Sequence, residues 1–522
     1  MSTIDDVVDA VTRDLGLALA ADAPGGAIGV VVDGEVAHVS HHGLANVEFG
    51  VPWRASTRYR LASITKTFTA QAVLAAADRG LLALDQPAHE LLQVLGPHHR
   101  DVTVEHLLTM SSGIPYDEDL CDLVGVRGRI GADFLVDLAV RQPLQFSPGT
   151  DQVYACASYR LLAMLLARVT GGPWTDALRT FVLEPLGLHV SFGGHYDDLE
   201  HDEATAYRPR PAGEPAGSPR RRHANHFECT GDGALKGTLD DLVRWCVASG
   251  ARSGPVPTWA RLVDVAGAGG PGWYRAGVCI GSLDGAETWY HGGASNTFYL
   301  HLPARAVTVA CLVNEMGVPA RELAAAVARG VVAARGATPS RPPTTARRPP
   351  AGELVDPGSG LLVDLDPDRR TATVLSTPAT LEPCEGEGWL VVTRSRRLVL
   401  EEAAGHEGAL VAHLGAERVR LVPAVASGPP GDEEGLVGAY DAATLPGTVR
   451  IVLRGGRLAL VQGAGGEGGL EHDVRWVAPD VGVAGAIGVV VERSASGAVV
   501  ALRLSTLPSR HIRFARRPAP GQ

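Results

Sequence analysis

Lysine is nearly absent from this 522-residue chain: two lysines stand among 47 basic side chains, and arginine supplies the rest. Long apolar runs are missing as well. No segment offers about 18 uninterrupted apolar residues, which excludes a membrane-spanning helix of ordinary length. The start, Met1-Ser2-Thr3-Ile4-Asp5-Asp6, lacks the basic stretch and apolar run of a secretion signal, so the expected address is the cytoplasm. Positive charge is not in excess either, with a formal charge of -11 and a pI near 5.9. The cluster Arg220-Arg221-Arg222 sits in a Pro/Gly-rich loop with acidic segments nearby, and nucleic acid is excluded as an expected partner. The seven cysteines are odd in number and scattered through apolar runs. They form no disulfide framework and read as reduced, buried thiols.

The scarcity of lysine gives meaning to where one is kept. Lys66 stands three residues after Ser63 in Leu61-Ala62-Ser63-Ile64-Thr65-Lys66-Thr67-Phe68. Arginine holds its proton in any protein environment, whereas a buried lysine can become neutral and act as a base. Residues three apart on a helix face the same side, so Ser63 Oγ and Lys66 Nζ are expected within hydrogen-bond reach. That is a serine nucleophile with a lysine base. An ordinary helical S-x-x-K is a common string, but here Phe68, Ala72, Val73, Ala76 and Ala77 continue an apolar face as far as Arg79-Gly80. Ser63 therefore falls near the start of a buried helix, where unpaired N–H groups favour a developing anion. The second lysine, Lys236, lies in the turn before a helix and is expected to be solvated.

At roughly 100 to 200 residues per domain, the length suggests about three domains. Residues 4–21 have helical periodicity. Strand-like runs follow at 26–32 and 35–40 around the hairpin signal Asp33-Gly34. After a long helical middle come runs at 275–281, 286–291, 297–303 and 306–313, then an alanine-rich helix over 319–335. Such segregation predicts an α+β domain over 1–335, an antiparallel sheet completed by strands from both ends and flanked by helices. The Pro/Thr/Arg-rich stretch 336–350 has too little apolar surface to fold and reads as a linker. Short alternating runs then predict a small antiparallel β-barrel over 351–426 and, after the break at 427–431, a second over 432–522. The openings Ala351-Gly352-Glu353-Leu354-Val355 and Leu436-Val437-Gly438-Ala439-Tyr440 are loosely alike, as in a duplication.

Three further strings carry chemistry. Phe146-Ser147-Pro148-Gly149 turns into Gln152-Val153-Tyr154-Ala155-Cys156-Ala157-Ser158-Tyr159; Gly231-Asp232-Gly233 opens a turn before a helix; Trp289-Tyr290-His291-Gly292-Gly293-Ala294 closes a strand. With Leu107-Leu108-Thr109-Met110-Ser111-Ser112-Gly113-Ile114 and Pro185-Leu186-Gly187-Leu188, this order over about residues 1–335 resembles the serine β-lactamase and penicillin-binding protein superfamily. Within its class C lactamase-like branch, the chain is similar to D-stereospecific aminopeptidases, which add two C-terminal antiparallel barrels. The resemblance implies Ser63 as nucleophile, Lys66 as general base, Tyr154 as proton shuttle and His291 at a strand position where relatives often carry lysine. It also implies backbone N–H donors from Ser63 and Ala294 for the oxyanion, with Gly292 and Gly293 letting substrate approach the strand. The family motif Tyr-x-Asn is broken by Cys156, whose thiol is a weak donor and a poor acceptor. A loop of the last barrel is implied to bring an acid to a substrate ammonium; the comparable stretch, 476–485, holds Asp480, with Asp473 the second choice.

The expected function is a serine hydrolase acting through an acyl-serine, releasing N-terminal D-amino acids from small peptides, amides or esters. An esterase or β-lactam hydrolase on the same site, or a non-catalytic binder of acyl compounds, are the alternatives. This chemistry needs no metal or organic cofactor. His223-x-x-His226-x-x-Cys229 has no fourth ligand at a telling spacing, and the glycines at 463–469 lack the strand-helix setting of a phosphate loop. No membrane partner is expected, and the oligomeric state stays open, a homodimer included.

Overall fold

The computed structural model describes residues 3–17, 22–211, 214, 218–224, 226–265, 272–336, 349–383, 388–393, 396–403, 409–414, 417–425, 433–463 and 470–518. They group into two compact units. The first comprises residues 1–110, 129–132 and 158–342, the second 111–128, 133–157 and 343–522.

A seven-stranded antiparallel sheet organises the first unit. From the edge strand Glu35–His42 it runs through Gly26–Val32, Val307–Val313, Thr297–Leu302, Ala286–Gly293 and Val278–Leu283 to Tyr274–Arg275. Strands from the two ends of the segment meet inside it, with Gly29 opposite Ala310. Asp33 and Gly34 both take positive φ, 52° and 84°, as the hairpin signal requires. Alternate residues face opposite sides. Ile28 and Val30 pack with Val8 of the helix Ile4–Asp14 and with Val327 and Val331 of the helix Ala320–Ala334. Gly29 points to the other side, where a Cβ would lie 2.3 Å from Val243 in the helix Leu239–Gly250. The first helix is shorter than the periodicity over 4–21 suggests. It ends at Asp14, two residues before Gly16 takes φ 77°, and residues 18–21 lie outside the described residues.

The helix Thr65–Asp78 differs from its expected one-sided pattern, because Thr65 to Ala76 are all buried. Its polar side chains must then find internal partners. Thr67 Oγ1 donates to Gly277 O at 2.6 Å and Thr69 Oγ1 to Gly231 O at 2.7 Å. Gln71 donates to Ser249 Oγ and Pro257 O and accepts from the Trp245 indole at 2.9 Å. Trp245 also stacks on Phe68, with ring centres 4.7 Å apart. No helix among the described residues is long and apolar enough to cross a membrane.

The second unit contains two closed antiparallel barrels, each of eight strands paired in chain order. One runs from Gly352–Asp356 to Glu417–Pro423, the other from Gly438–Asp441 to Ile512–Arg516. They share apolar contacts. Val477, Val481 and Val483 of the second barrel share a cluster with Leu354, Val363 and Leu421 of the first. The stretch 476–485, expected as a loop, is for that reason a tight hairpin between the strands Leu470–Ala478 and Val481–Ala484. Of the expected linker 336–350, residues 337–348 lie outside the described residues, as does the break at 427–431.

A boundary at 335 is not the only division of the chain, because two excursions of the first 335 residues pack with the barrels. Polar bonds specify this attachment. Gln462 donates to Asp122 O and Leu123 O at 2.7 and 2.8 Å, and Gln142 donates to Thr444 O at 3.0 Å. Arg396 pairs with Asp151. Thr506 donates its hydroxyl to the carboxylate of Asp119 in the helix Asp117–Val124.

Burial pushes the Asp119 carboxyl up from its usual value near 3.8 to about 7, against the opposing pull of hydrogen bonds from Thr506 and Ser509. A carboxyl whose folded pKa is raised contributes stability that is complete below its unfolded pKa and lost as pH rises through the folded one. Asp119→Asn keeps an acceptor for Thr506 without the charge. Its melting temperature relative to the parent protein is expected to rise between about pH 4 and pH 7 and to level off above, as read by thermal unfolding; a pH-independent difference would remove Asp119 as the titrating group.

Candidate active site

Ser63 lies in a 3-10 turn, Ala62–Ile64, that feeds directly into the helix Thr65–Asp78. Ala62 before it adopts φ 46°, a costly value for a residue with a Cβ. Two contacts hold that turn: Leu61 N donates to Leu235 O at 2.9 Å, and Thr297 Oγ1 donates to Leu61 O at 3.0 Å. One helical turn on, Lys66 is fully buried, and its ammonium donates to Ser63 Oγ at 3.1 Å and to Asp232 O at 2.7 Å. The Ser63–Lys66 pairing expected from the spacing is present.

Asp232 shows why its carbonyl is available. Its carboxylate meets Arg160 Nη2 at 3.2 Å and accepts the Thr230 N–H at 2.8 Å, so the turn Gly231-Asp232-Gly233 is clamped from its side chain. Arg160 is 1% exposed and also donates to Glu228 O. Sequence reasoning noticed the glycine-rich turn and missed both charged residues. An arginine in an apolar helical run, Tyr159-Arg160-Leu161-Leu162, was the available signal, because a guanidinium there needs a buried partner.

The strand Ala286–Gly293 ends against the Ser63 turn. A Cβ on Gly293 would stand 2.2 Å from Thr297 Oγ1, 2.5 Å from Leu61 O and 3.0 Å from Ala62 Cβ, so glycine is obligatory there. At Gly292 a Cβ would meet the Phe298 ring at 2.9 Å. The following turn carries Ala294 and is fixed by Asn296, at φ 60°. Its amide donates to Glu315 O and Val318 O at 2.9 and 2.8 Å and accepts from Ala320 N at 2.9 Å. Ser295 Oγ lies 2.9 Å from the Tyr196 hydroxyl, and Arg60 stacks over the Tyr196 ring at 4.4 Å. His291 is 2% exposed. Its Nδ1 lies 2.9 Å from Gly292 O, which assigns a proton to that nitrogen, and Nε2 lies 3.1 Å from the Tyr274 hydroxyl.

Lys236, expected to be solvated, is instead 1% exposed and pairs with Glu203 Oε2 at 2.6 Å. It also donates to Asp198 O at 2.8 Å. A Cβ on Gly193 would lie 2.3 Å from Lys236 Cε. So narrow a channel suits a slender lysine and not a planar guanidinium.

Tyr154, Cys156 and Asp480 belong to the second unit. Tyr154 is 5% exposed, and its ring meets Tyr116 edge to face at 6.3 Å. Cys156 opens the helix Cys156–Thr170, and Asp117 Oδ1 accepts the Ala157 N–H at 3.0 Å as a cap from outside the segment. The Cys156 thiol donates to the Tyr116 hydroxyl at 3.8 Å, and that hydroxyl donates to Glu118 Oε2 at 2.9 Å. A Glu118 oxygen lies within 4.8 Å of Cys156 Sγ. Where the family motif has an amide, this chain has a thiol beside a tyrosine and a carboxylate. Asp480 sits at the tip of its hairpin with φ 55°, and Arg493 grips its carboxylate through Nε and Nη2, both at 2.9 Å. The second choice, Asp473, pairs with Arg457 at 3.5 Å.

Known proteins agree with this reading of the fold. The family model described as Beta-lactamase matches residues 5–333, and the chain belongs to that family. It is 28% identical to the D-aminopeptidase of Gluconobacter oxydans over 94% of this chain and 96% of that one. To esterase EstB of Burkholderia gladioli it is 32% identical, over 48% of this chain and 73% of the other. Among solved structures, the octameric penicillin-binding protein homologue from Pyrococcus abyssi superposes with a TM-score of 0.55 at 20% identity, covering 80% of this chain and 99% of that one. The D-amino acid amidase from Ochrobactrum anthropi SV3 gives 0.54 at 22% identity, covering 64% and 99%. The chain is a serine hydrolase by family.

Gly293→Ala tests the close approach of the strand end to the Ser63 turn. Overpacking against backbone and a β-branched side chain is expected to cost about 1 to 3 kcal/mol. The midpoint of denaturant unfolding measures it, and an unchanged midpoint would mean that the two elements do not touch.

Proposed function

We propose that this protein is an aminopeptidase that releases N-terminal D-amino acids from small peptides, amides and esters through an acyl-Ser63 intermediate. The observation that carries the reading is the buried Ser63–Lys66 pair, in a chain similar along 94% of its length to a protein named D-aminopeptidase. Lys66 in its neutral form takes the Ser63 proton as Oγ attacks the substrate carbonyl. The N–H groups of Ser63 and Ala294 stabilise the oxyanion. Tyr154, following the family pattern, returns a proton to the departing amine. Water then attacks the acyl-serine, and the free D-amino acid leaves. His291 supports the substrate strand, and Gly292 and Gly293 leave its face open to the substrate backbone.

An aminopeptidase must recognise a free ammonium, which calls for a carboxylate. Glu118 is the first choice for this role, because it stands beside the thiol that occupies the family's substrate-binding amide position. Asp480 is the second choice. A cytoplasmic setting completes the proposal, consistent with six described cysteines that are buried and outside any disulfide. The identity to esterase EstB favours an esterase as the second reading.

Hydrolysis of D-Ala and L-Ala p-nitroanilides, p-nitrophenyl acetate and nitrocefin, measured side by side, separates these readings. The D-anilide is expected to be cleaved at least about tenfold faster than the L-anilide, on the order of 1.4 kcal/mol of discrimination. Rapid acetate hydrolysis with no anilide cleavage would establish the esterase, and no turnover of any substrate a binding protein. Lys66→Arg is expected to lose about a hundredfold or more in kcat with its fold retained, the usual cost of removing a positioned proton acceptor. Near-parental activity in that variant would make Lys66 structural.

Glu118→Gln is expected to lower kcat/KM for substrates with a free amine by about tenfold or more, while N-acetylated substrates change little. Asp480→Ala, assayed beside it, carries the competing assignment. Equal loss on both substrate classes would remove either acid from amine recognition.

A further inference from the structure

A cavity of about 300 Å³ lies in the first unit between the sheet and the helix Ala320–Ala334, and no step of the proposed hydrolysis uses it. Its floor is apolar. Leu302 comes from one strand, Leu283 and Ala286 from the two strands that meet at the Asp284-Gly285 turn, and Ala328, Val332 and Ala333 from the helix. Leu302 and Ala328 are buried, and Leu283, Ala286 and Val332 pack on the same core cluster. The helix makes the room, because Ala328 and Ala333 end at Cβ where a larger side chain would fill the space. An apolar cavity of about 150 Å³ accepts benzene, so this one has room for a chain of about ten heavy atoms. Ala286 and Gly293 are the two ends of one strand, which puts the cavity about 24 Å from the glycines of the active site at about 3.4 Å per residue.

The wall carries three charged groups, Asp284, Arg305 and Arg329. Two of them cancel. Arg329 forks onto Asp284, with Nε donating to Oδ2 at 2.8 Å and Nη2 to Oδ1 at 3.0 Å. Arg305 is left over. It closes the turn Pro303–Arg305 and is partly buried, and its carbonyl accepts from Arg335 Nη1 at 2.9 Å, which holds the turn in place. Among the described residues, none binds the Arg305 guanidinium. One uncompensated positive charge therefore stands beside an apolar floor, and its complement is an apolar chain that ends in an anion. A guanidinium suits a carboxylate in particular, because its donors form a fork of matching width. The stretch 337–348, next in sequence after the helix, has the wrong chemistry for this place: it carries Arg341, Arg347 and Arg348, no acid, and no Leu, Ile, Val, Met or Phe.

We propose that this cavity binds a free medium-chain carboxylate, with its alkyl chain between sheet and helix and its carboxylate on Arg305. The inference does not depend on which substrate Ser63 hydrolyses.

Isothermal titration of the full chain with sodium hexanoate and sodium octanoate, below their micellar concentrations, tests it. Saturable binding is expected, with affinity rising about fourfold for each added methylene, the worth of burying one CH₂. Octyltrimethylammonium keeps the chain and reverses the charge of the head, and it is expected to bind at least about tenfold more weakly. Arg305→Gln is expected to weaken octanoate binding by a similar factor. Ala333→Phe, at an exposed helix position, should fill the cavity and abolish binding with the melting temperature retained. Hydrogen exchange with octanoate bound is expected to slow in peptides covering 283–286 and 328–333. No saturable binding, equal affinity for the cation, or undiminished affinity in folded Arg305→Gln overturns the proposal. Protection of 61–66 and 291–297 instead would place the acid in the active site and also overturn it. A dimer seen by sedimentation without octanoate and broken by Ala333→Phe would assign the cavity to a second copy of the chain, with the same consequence.

Discussion

A fully buried lysine is the constraint around which the first unit is arranged. An ammonium with no water around it must be surrounded by fixed oxygens or give up its proton. Lys66 finds Ser63 Oγ on one side and the Asp232 carbonyl on the other. That carbonyl can serve only while its turn is held, and Arg160 and the Thr230 N–H hold it by the Asp232 carboxylate. The same economy explains the crowding at Gly293, where the strand end comes so near the Ser63 turn that a single methyl would not fit. Ser63 and Lys66 are thus placed by buried groups that are themselves held in position. Such preorganisation lets a site stabilise charge without rearranging during reaction.

The second unit has a different physical character. Its two barrels share one apolar cluster, and the excursions from the first 335 residues are fastened to them by glutamines, threonines and charged pairs. Polar fastening specifies position more than it adds stability, since each buried group is costly if its partner moves away. Tyr154 and Cys156 ride on one of these excursions. The barrels therefore bear on where the tyrosine motif lies.

Much of the fold was legible because periodicity and turn chemistry are local. The hairpin at Asp33-Gly34, the strands at 278–283 and 297–302 and the helix ending near 335 follow from alternation, helical spacing and paired left-handed residues. Ser63 and Lys66 were legible for the same reason, being one turn apart on one helix. What stayed hidden depends on partners distant in sequence. Arg160 and Asp232 have meaning only as a pair, 72 positions apart. Lys236 read as solvated because Glu203 and the narrow space beside Gly193 cannot be seen from its neighbours. The stretch 476–485 read as a loop because its valines find their apolar surroundings in another barrel. Glu118 gave no signal, since an acid in the first turn of a helix is ordinary, and only its place beside Cys156 sets it apart.

Intact-protein mass spectrometry of the full chain, quenched in acid during turnover of a slowly hydrolysed D-alanyl ester, tests the central claim most directly. The expected result is a mass increase of one alanyl group, mapped by peptide sequencing to Ser63 and absent from Ser63→Ala. An adduct on another residue, or one that persists after Ser63→Ala, would contradict the assignment of this serine as the nucleophile.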